Sequence, residues 1–169
     1  MKTFDFSATE ARINSATASS VLKVLARNIL VSINYDINND FFALYEKASK
    51  KAEIAHFAER CPAPMYGSDE AENALEDMAY KLNIESCARQ NTMPSIRVIT
   101  NQLSKLGYAK TAARQVERST GGDKFQQMSK SGLVQYTSEY FIFRNARHLV
   151  DAKTLAKVDA LFAAKGWAA

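Results

Sequence analysis

The sequence predicts a mainly α-helical domain of six or seven helices, and three observations lead there. Gly and Pro are scarce, 6 and 3 in 169 residues, so few positions interrupt a helix. Ala, Lys and Glu, which favour helix over strand, are plentiful. Apolar residues recur at spacings of three and four along most of the chain. With 47% apolar residues, the chain is long enough to bury a core, and one compact domain is the simplest arrangement.

Taken in order, Ser7 and Glu10 form a capping box that opens a first short helix. The Ser, Thr and Ala of residues 15–20 interrupt it. From Ser20, Leu22, Leu25, Ile29 and Ile33 recur at helical spacing, with Val21 and Val24 widening the stripe. This predicts a central buried helix ending at Asn38-Asn39-Asp40. Asp40 then caps a helix carrying Phe41, Leu44, Tyr45 and Ala48, which continues, after a kink, through Ala52, Ile54, Ala55, Phe57 and Ala58. Cys61-Pro62-Ala63-Pro64 stops it, because proline disfavours helix at the preceding residue.

Ser68 opens the next helix, with Asp69, Glu70 and Glu72 in the first turn where the helix dipole favours negative charge. Ala71, Leu75, Met78, Ala79 and Leu82 form its buried stripe, and its acidic residues, Glu76 among them, read as a solvated face. Residues 84–93 fit either a continuation or a connection. Pro94 or Ser95 begins a helix with Ile96, Ile99, Leu103 and Leu106 inward, and Gly107 follows where a left-handed residue belongs. A further helix covers Lys110 to Arg118 and ends at Gly121-Gly122, and residues 125–128 add a helical turn. Leu133 to Tyr136 and Tyr140 to Phe143 are β-rich runs around Thr137-Ser138-Glu139. They fit one small β-hairpin near residues 133–143, or a helix from 133 to 146. The last helix starts at Asp151, buries Leu155, Val158, Leu161 and Phe162, and closes at Gly166, leaving Trp167 to fold back.

The net charge of +4 conceals a division. Residues 1–93 hold 10 Lys/Arg against 13 Asp/Glu, a balance of −3, whereas residues 94–169 hold 12 against 5, a balance of +7. The chain therefore reads as a slightly acidic helical body (1–93) and a basic half (94–169), with the boundary near 86–94. Such asymmetry points to a polyanionic partner. The polar stretch Met1 to Ser7 is unlike a secretory signal, and Lys23 and Arg27 interrupt the best apolar run, so no membrane contact is expected. Cys61 and Cys87 lack metal-type spacing. Reduced thiols in a cytoplasmic protein are the expected setting, with a single disulfide as the alternative.

One stretch suggests a chemistry. Residues 94–120 read as two short helices around Gly107, the outline of a helix-turn-helix. At about 100° per residue, Ala109, Ala113 and Val116 fall on one arc, and Lys110, Thr111, Arg114, Gln115 and Arg118 on the opposite one. Small residues there allow close packing, while the donors reach a major groove or phosphates. Leu103, four before the glycine, is larger than such motifs normally carry. Lys105, Lys124, Lys130, Arg144 and Arg147 supply further phosphate contacts, which position a protein without reading bases. If residues 133–143 form a hairpin, it serves as a wing. Tyr136, Tyr140, Phe141 and Phe143 are either core or a stacking platform for single strands. Residues 119–124 lack Walker spacing and read as a turn.

No constellation supports catalysis, a metal or a cofactor. His56 and His148 are isolated, and Asp36 with Asp40 read as caps. The expected function is a non-enzymatic nucleic-acid-binding protein, duplex DNA ahead of RNA, acting as a small regulator or accessory factor. A homodimer reading two half-sites could pair through residues 21–33, which otherwise serve as intramolecular core. The alternative function is a helical adaptor or inhibitor of a protein partner, with the acidic helix 69–82 or the aromatics as the contact.

Overall fold

The computed structural model describes residues 5–92 and 98–167, apart from the side chains of residues 98–100. The expected helix start at Pro94 or Ser95, Ile96 and the side chain of Ile99 lie outside this range. The described residues form eight α-helices, slightly more than expected, with two 3-10 turns and no strand. No helix among them is long and apolar enough to cross a membrane. The chain divides into two compact units, Met1–Cys61 and Pro62–Ala169.

The first unit comprises α1 (Phe6–Ser15), α2 (Ser19–Ser32) and α3 (Phe42–Arg60). As the periodicity predicts, α2 buries Leu22, Leu25, Ala26 and Ile29, which pack with Ile13 of α1 and with Leu44, Ala48 and Ala52 of α3. The small Ala48 and Ala52 let the helices approach closely. Leu25→Ala is therefore expected to cost about 2–5 kcal/mol, measured by urea denaturation followed by circular dichroism. A loss of about 0.5 kcal/mol or less, the surface range, would contradict its place in the core. The stripe is narrower than expected, because Val21, Val24 and Val31 are 50%, 58% and 54% exposed.

The helix ends differ from the sequence expectations. Asp5, not Ser7, caps α1, accepting from the Ala8 amide at 3.1 Å. Ala18, at the N-cap of α2, has no side-chain acceptor. Glu59, from the last turn of α3, supplies it, accepting from Ser19 N at 2.8 Å and Ser19 Oγ at 2.7 Å. These two bonds, the backbone one foremost, hold the Glu59 carboxyl below its usual range. α2 stops at Ser32, short of the Asn38 cluster, because Asn34 and Tyr35 turn left-handed at φ 51° and 60°. α3 is one unbroken helix without a side-chain cap from Asp40, and it stops at Cys61 before Pro62. Cys61 and Cys87 are thiols.

The second unit holds α4 (Glu70–Arg89), α5 (Val98–Arg118), α6 (Asp123–Lys130), α7 (Ser138–Asn145) and α8 (Ala152–Ala163), with 3-10 turns at Val134–Tyr136 and Arg147–Leu149. Asp69, not Ser68, caps α4, and the helix continues through 84–89, so the change of charge sign does not coincide with the division of the chain. Charge sign records which side chains meet water, whereas the division follows packing. Met78 is exposed and Glu76 is buried, the reverse of the expected assignment.

No hairpin forms at residues 133–143. The Thr137 hydroxyl accepts from the Tyr140 amide at 3.2 Å, so the polar triplet is a helix cap. Phe141, Ile142 and Phe143 are all buried, and a short helix covered on most sides has the same apolar run as a strand. The core they join is aromatic. Phe162 stacks on Phe143 at 4.4 Å between centroids and meets Phe125 edge-on at 5.9 Å. Trp167 folds back onto Tyr140 (5.5 Å) and Phe162 (5.8 Å), as expected for a residue beyond Gly166.

Candidate functional site

The site is organised by a break inside α5. Gly107 has φ 78° and ψ 177°, a conformation reserved almost entirely for glycine. The chain starts a new helical segment at Tyr108, whose first amides need an acceptor. Glu76 of α4, only 5% exposed, provides it, accepting from Tyr108 N at 2.5 Å and Ala109 N at 2.9 Å. A β-carbon on Gly107 would lie 2.7 Å from the Glu76 carboxylate, so the approach requires glycine twice over. Glu76 was hidden in a run of acidic residues. Its local pattern does not separate it from its acidic neighbours, and only the distant Tyr108 and Ala109 amides do.

Beyond this cap the segment presents two faces. Tyr108, Ala109, Thr111, Ala113 and Val116 are buried, while Lys110, Arg114, Gln115 and Arg118 are exposed. Thr111 departs from the expected arc, being only 3% exposed. The segment is covered on more than one side, so its buried sector is wider than the arc that Ala109, Ala113 and Val116 define. Lys110 pairs with Glu72 at 3.5 Å, with both side chains more than half exposed, which contributes little to stability. Neither Arg114 nor Arg118 has an ion-pair partner among the described residues.

Of the other basic residues, Lys105, Lys124, Lys130 and Arg144 are exposed. The Arg144 guanidinium lies 4.9 Å from the Phe143 ring centroid. Arg147 is engaged internally, donating two bonds to Asp159 at 2.7 and 2.8 Å. It therefore differs from the expected free phosphate contact. Of the four aromatics expected as core or stacking platform, Phe141 and Phe143 are buried in the aromatic core and Tyr140 packs against it, while Tyr136 is half-buried with the Arg89 guanidinium 5.0 Å from its ring centroid.

Inward of the exposed face, α4, α5, α6 and the turn into α7 line a cavity of about 370 Å³ that is open to solvent on one side. Thr111, Gln115, Arg118 and Lys124 all line it, whereas Lys105, Lys110, Arg114, Lys130, Arg144 and Arg147 do not. Its apolar wall includes Leu103, Val116, Phe125 and Phe141. The Ser138 hydroxyl, also in the lining, donates to Gln115 Oε1 at 2.9 Å. Glu139, 8% exposed, accepts from the Gly121 amide at 3.1 Å. Burial pushes its carboxyl above the usual range, against the lowering effect of its own and the Gly121 backbone amides and of Lys124. Asn83 Nδ2 and Thr111 Oγ1 are buried without a hydrogen-bond partner. Sequence reasoning missed Asn83 and Glu139, since a lone amide on a helix and a carboxylate inside a polar triplet both resemble surface residues.

No protein-family model, curated protein or solved structure matches this chain.

Proposed function

We propose that the exposed face of the second α5 segment binds nucleic acid, duplex DNA ahead of RNA, mainly through the phosphate backbone. The observation that carries this reading is the pair Arg114 and Arg118, exposed one turn apart with no carboxylate holding either among the described residues. Two uncompensated guanidiniums at helical spacing suit contact with successive phosphates. Base reading by a helix-turn-helix uses the N-terminal residues of its second helix. Here that end lies against Glu76 and Thr111 is buried, so backbone contact is favoured over readout of base edges.

An electrophoretic mobility shift across a salt series tests the proposal. The double variant Arg114→Ala, Arg118→Ala leaves helix propensity nearly intact. It is expected to weaken binding to all duplex sequences alike and to lower the salt slope by about two, one for each lost phosphate contact. Its melting temperature should match that of the parent. Binding equal to the parent's, at the same slope, would rule this face out.

A second reading, an adaptor that contacts a protein partner, is favoured by the row Val21, Val24 and Val31 on α2, each at least half exposed. Exposed apolar rows of this kind mark protein contacts. Affinity that does not change with salt, for a protein and not for DNA or RNA, would favour it.

A further inference from the structure

We propose that the cavity between α4, α5, α6 and α7 binds a small uncharged organic molecule, with an apolar body and one hydrogen-bond acceptor group. The volume of about 370 Å³ falls within the range of small-molecule sites, which are largely apolar with a few placed polar groups. The wall formed by Leu103, Val116, Phe125 and Phe141 suits the apolar body. The placed groups belong to Asn83 and Thr111, two residues of this lining whose Nδ2 and Oγ1 are buried and have no partner. Buried polar atoms in folded chains are nearly always satisfied, so two in a single cavity define what its occupant must offer.

The amide nitrogen only donates, and the threonine hydroxyl donates readily. A carbonyl oxygen, with two lone pairs, can accept from both. Charge on the occupant is disfavoured from either side. Glu139 faces the same cavity and opposes an anion, while its bonded oxygen is already engaged by the Gly121 amide. An ammonium group has no acceptor capacity for the two orphan donors. Arg118, Asp123 and Lys124 also line the cavity, but all three are solvent-exposed and leave Glu139 as the one buried charged residue of the lining. Neither Asn83 nor Thr111 takes part in the proposed phosphate contact, so the two proposals can fail separately.

Acetophenone and ethylbenzene form a matched pair of probes, nearly equal in shape and differing by the carbonyl oxygen. Titrated into the ¹⁵N-labelled full chain, acetophenone is expected to shift the amides around Asn83 and Thr111 saturably. Its affinity should exceed that of ethylbenzene by about tenfold, the scale of a net hydrogen bond. In the double variant Asn83→Leu, Thr111→Val, which nearly preserves shape, that preference should vanish while ethylbenzene still binds. Retained ethylbenzene binding also shows that the variant keeps its cavity. The proposal is overturned if neither probe shifts these amides, or if the two bind the parent equally. It is also overturned if the preference for acetophenone survives the double substitution. The comparison on the parent decides the matter even where the variant fails to fold.

Discussion

Gly107→Ala is expected to destabilise the second unit by about 3–5 kcal/mol. The backbone at φ 78°, ψ 177° costs a side-chain-bearing residue about 1–3 kcal/mol. The added β-carbon would also lie 2.7–2.9 Å from the Glu76 carboxylate. To make room, that carboxylate must release the Tyr108 and Ala109 amides, and each bond to a charged group is worth about 1.5–3 kcal/mol. Urea denaturation followed by fluorescence of Trp167, the chain's single tryptophan, reads the effect inside this unit. Adding Glu76→Ala removes the obstruction, so the double variant should lose less than the sum of the two single losses. Residues in contact are coupled in this way. Strict additivity, or a loss below about 1 kcal/mol, a typical value for an unexceptional substitution, would mean that Glu76 does not close the segment.

Phe162→Ala is expected to cost about 3–5 kcal/mol and to change the fluorescence of the folded state. Phe162 is fully buried and holds together rings from three other places in the chain: Phe125 on α6, Tyr140 and Phe143 on α7, and Trp167 beyond α8. Truncation leaves a cavity that rigid neighbouring rings cannot fill by small shifts, which places the cost at the upper end for large-to-small changes. Phe162→Leu retains part of the volume and should cost clearly less. Equal losses for Ala and Leu would show that the aromatic contacts, and not the filled volume, govern this site.

Much of the fold is legible in the sequence wherever the signal is short-range. The Leu22, Leu25 and Ile29 stripe, the stop at Cys61-Pro62, the break at Gly107 and the Asp151 cap of α8 each depend on residues within about two turns of one another, and each takes the expected form. The exposure of Arg114 and Arg118 was likewise readable, because it follows from their angle to Ala113 and Val116. The hairpin expected at 133–143 failed because a buried helical turn and a strand share the same apolar run. The division after Cys61 is not announced by charge, because a change of charge sign does not mark a change of packing.

What only the tertiary structure decided is which polar side chains face inward. Glu59 reaches Ser19 across 40 positions, Glu76 reaches Tyr108 across 32 and Glu139 reaches Gly121 across 18. Each carboxylate supplies an acceptor to an amide at a helix start or turn that its own neighbourhood leaves unsatisfied. Thr111 is buried for a related reason, since helices on more than one side cover its segment. By itself the sequence determined the all-helical class, most of the helices and their main breaks, and the outward direction of two arginines. The carboxylate caps and the cavity came from packing, because an acidic residue has the same local pattern in water as beneath a helix end, and only the distant amide distinguishes them.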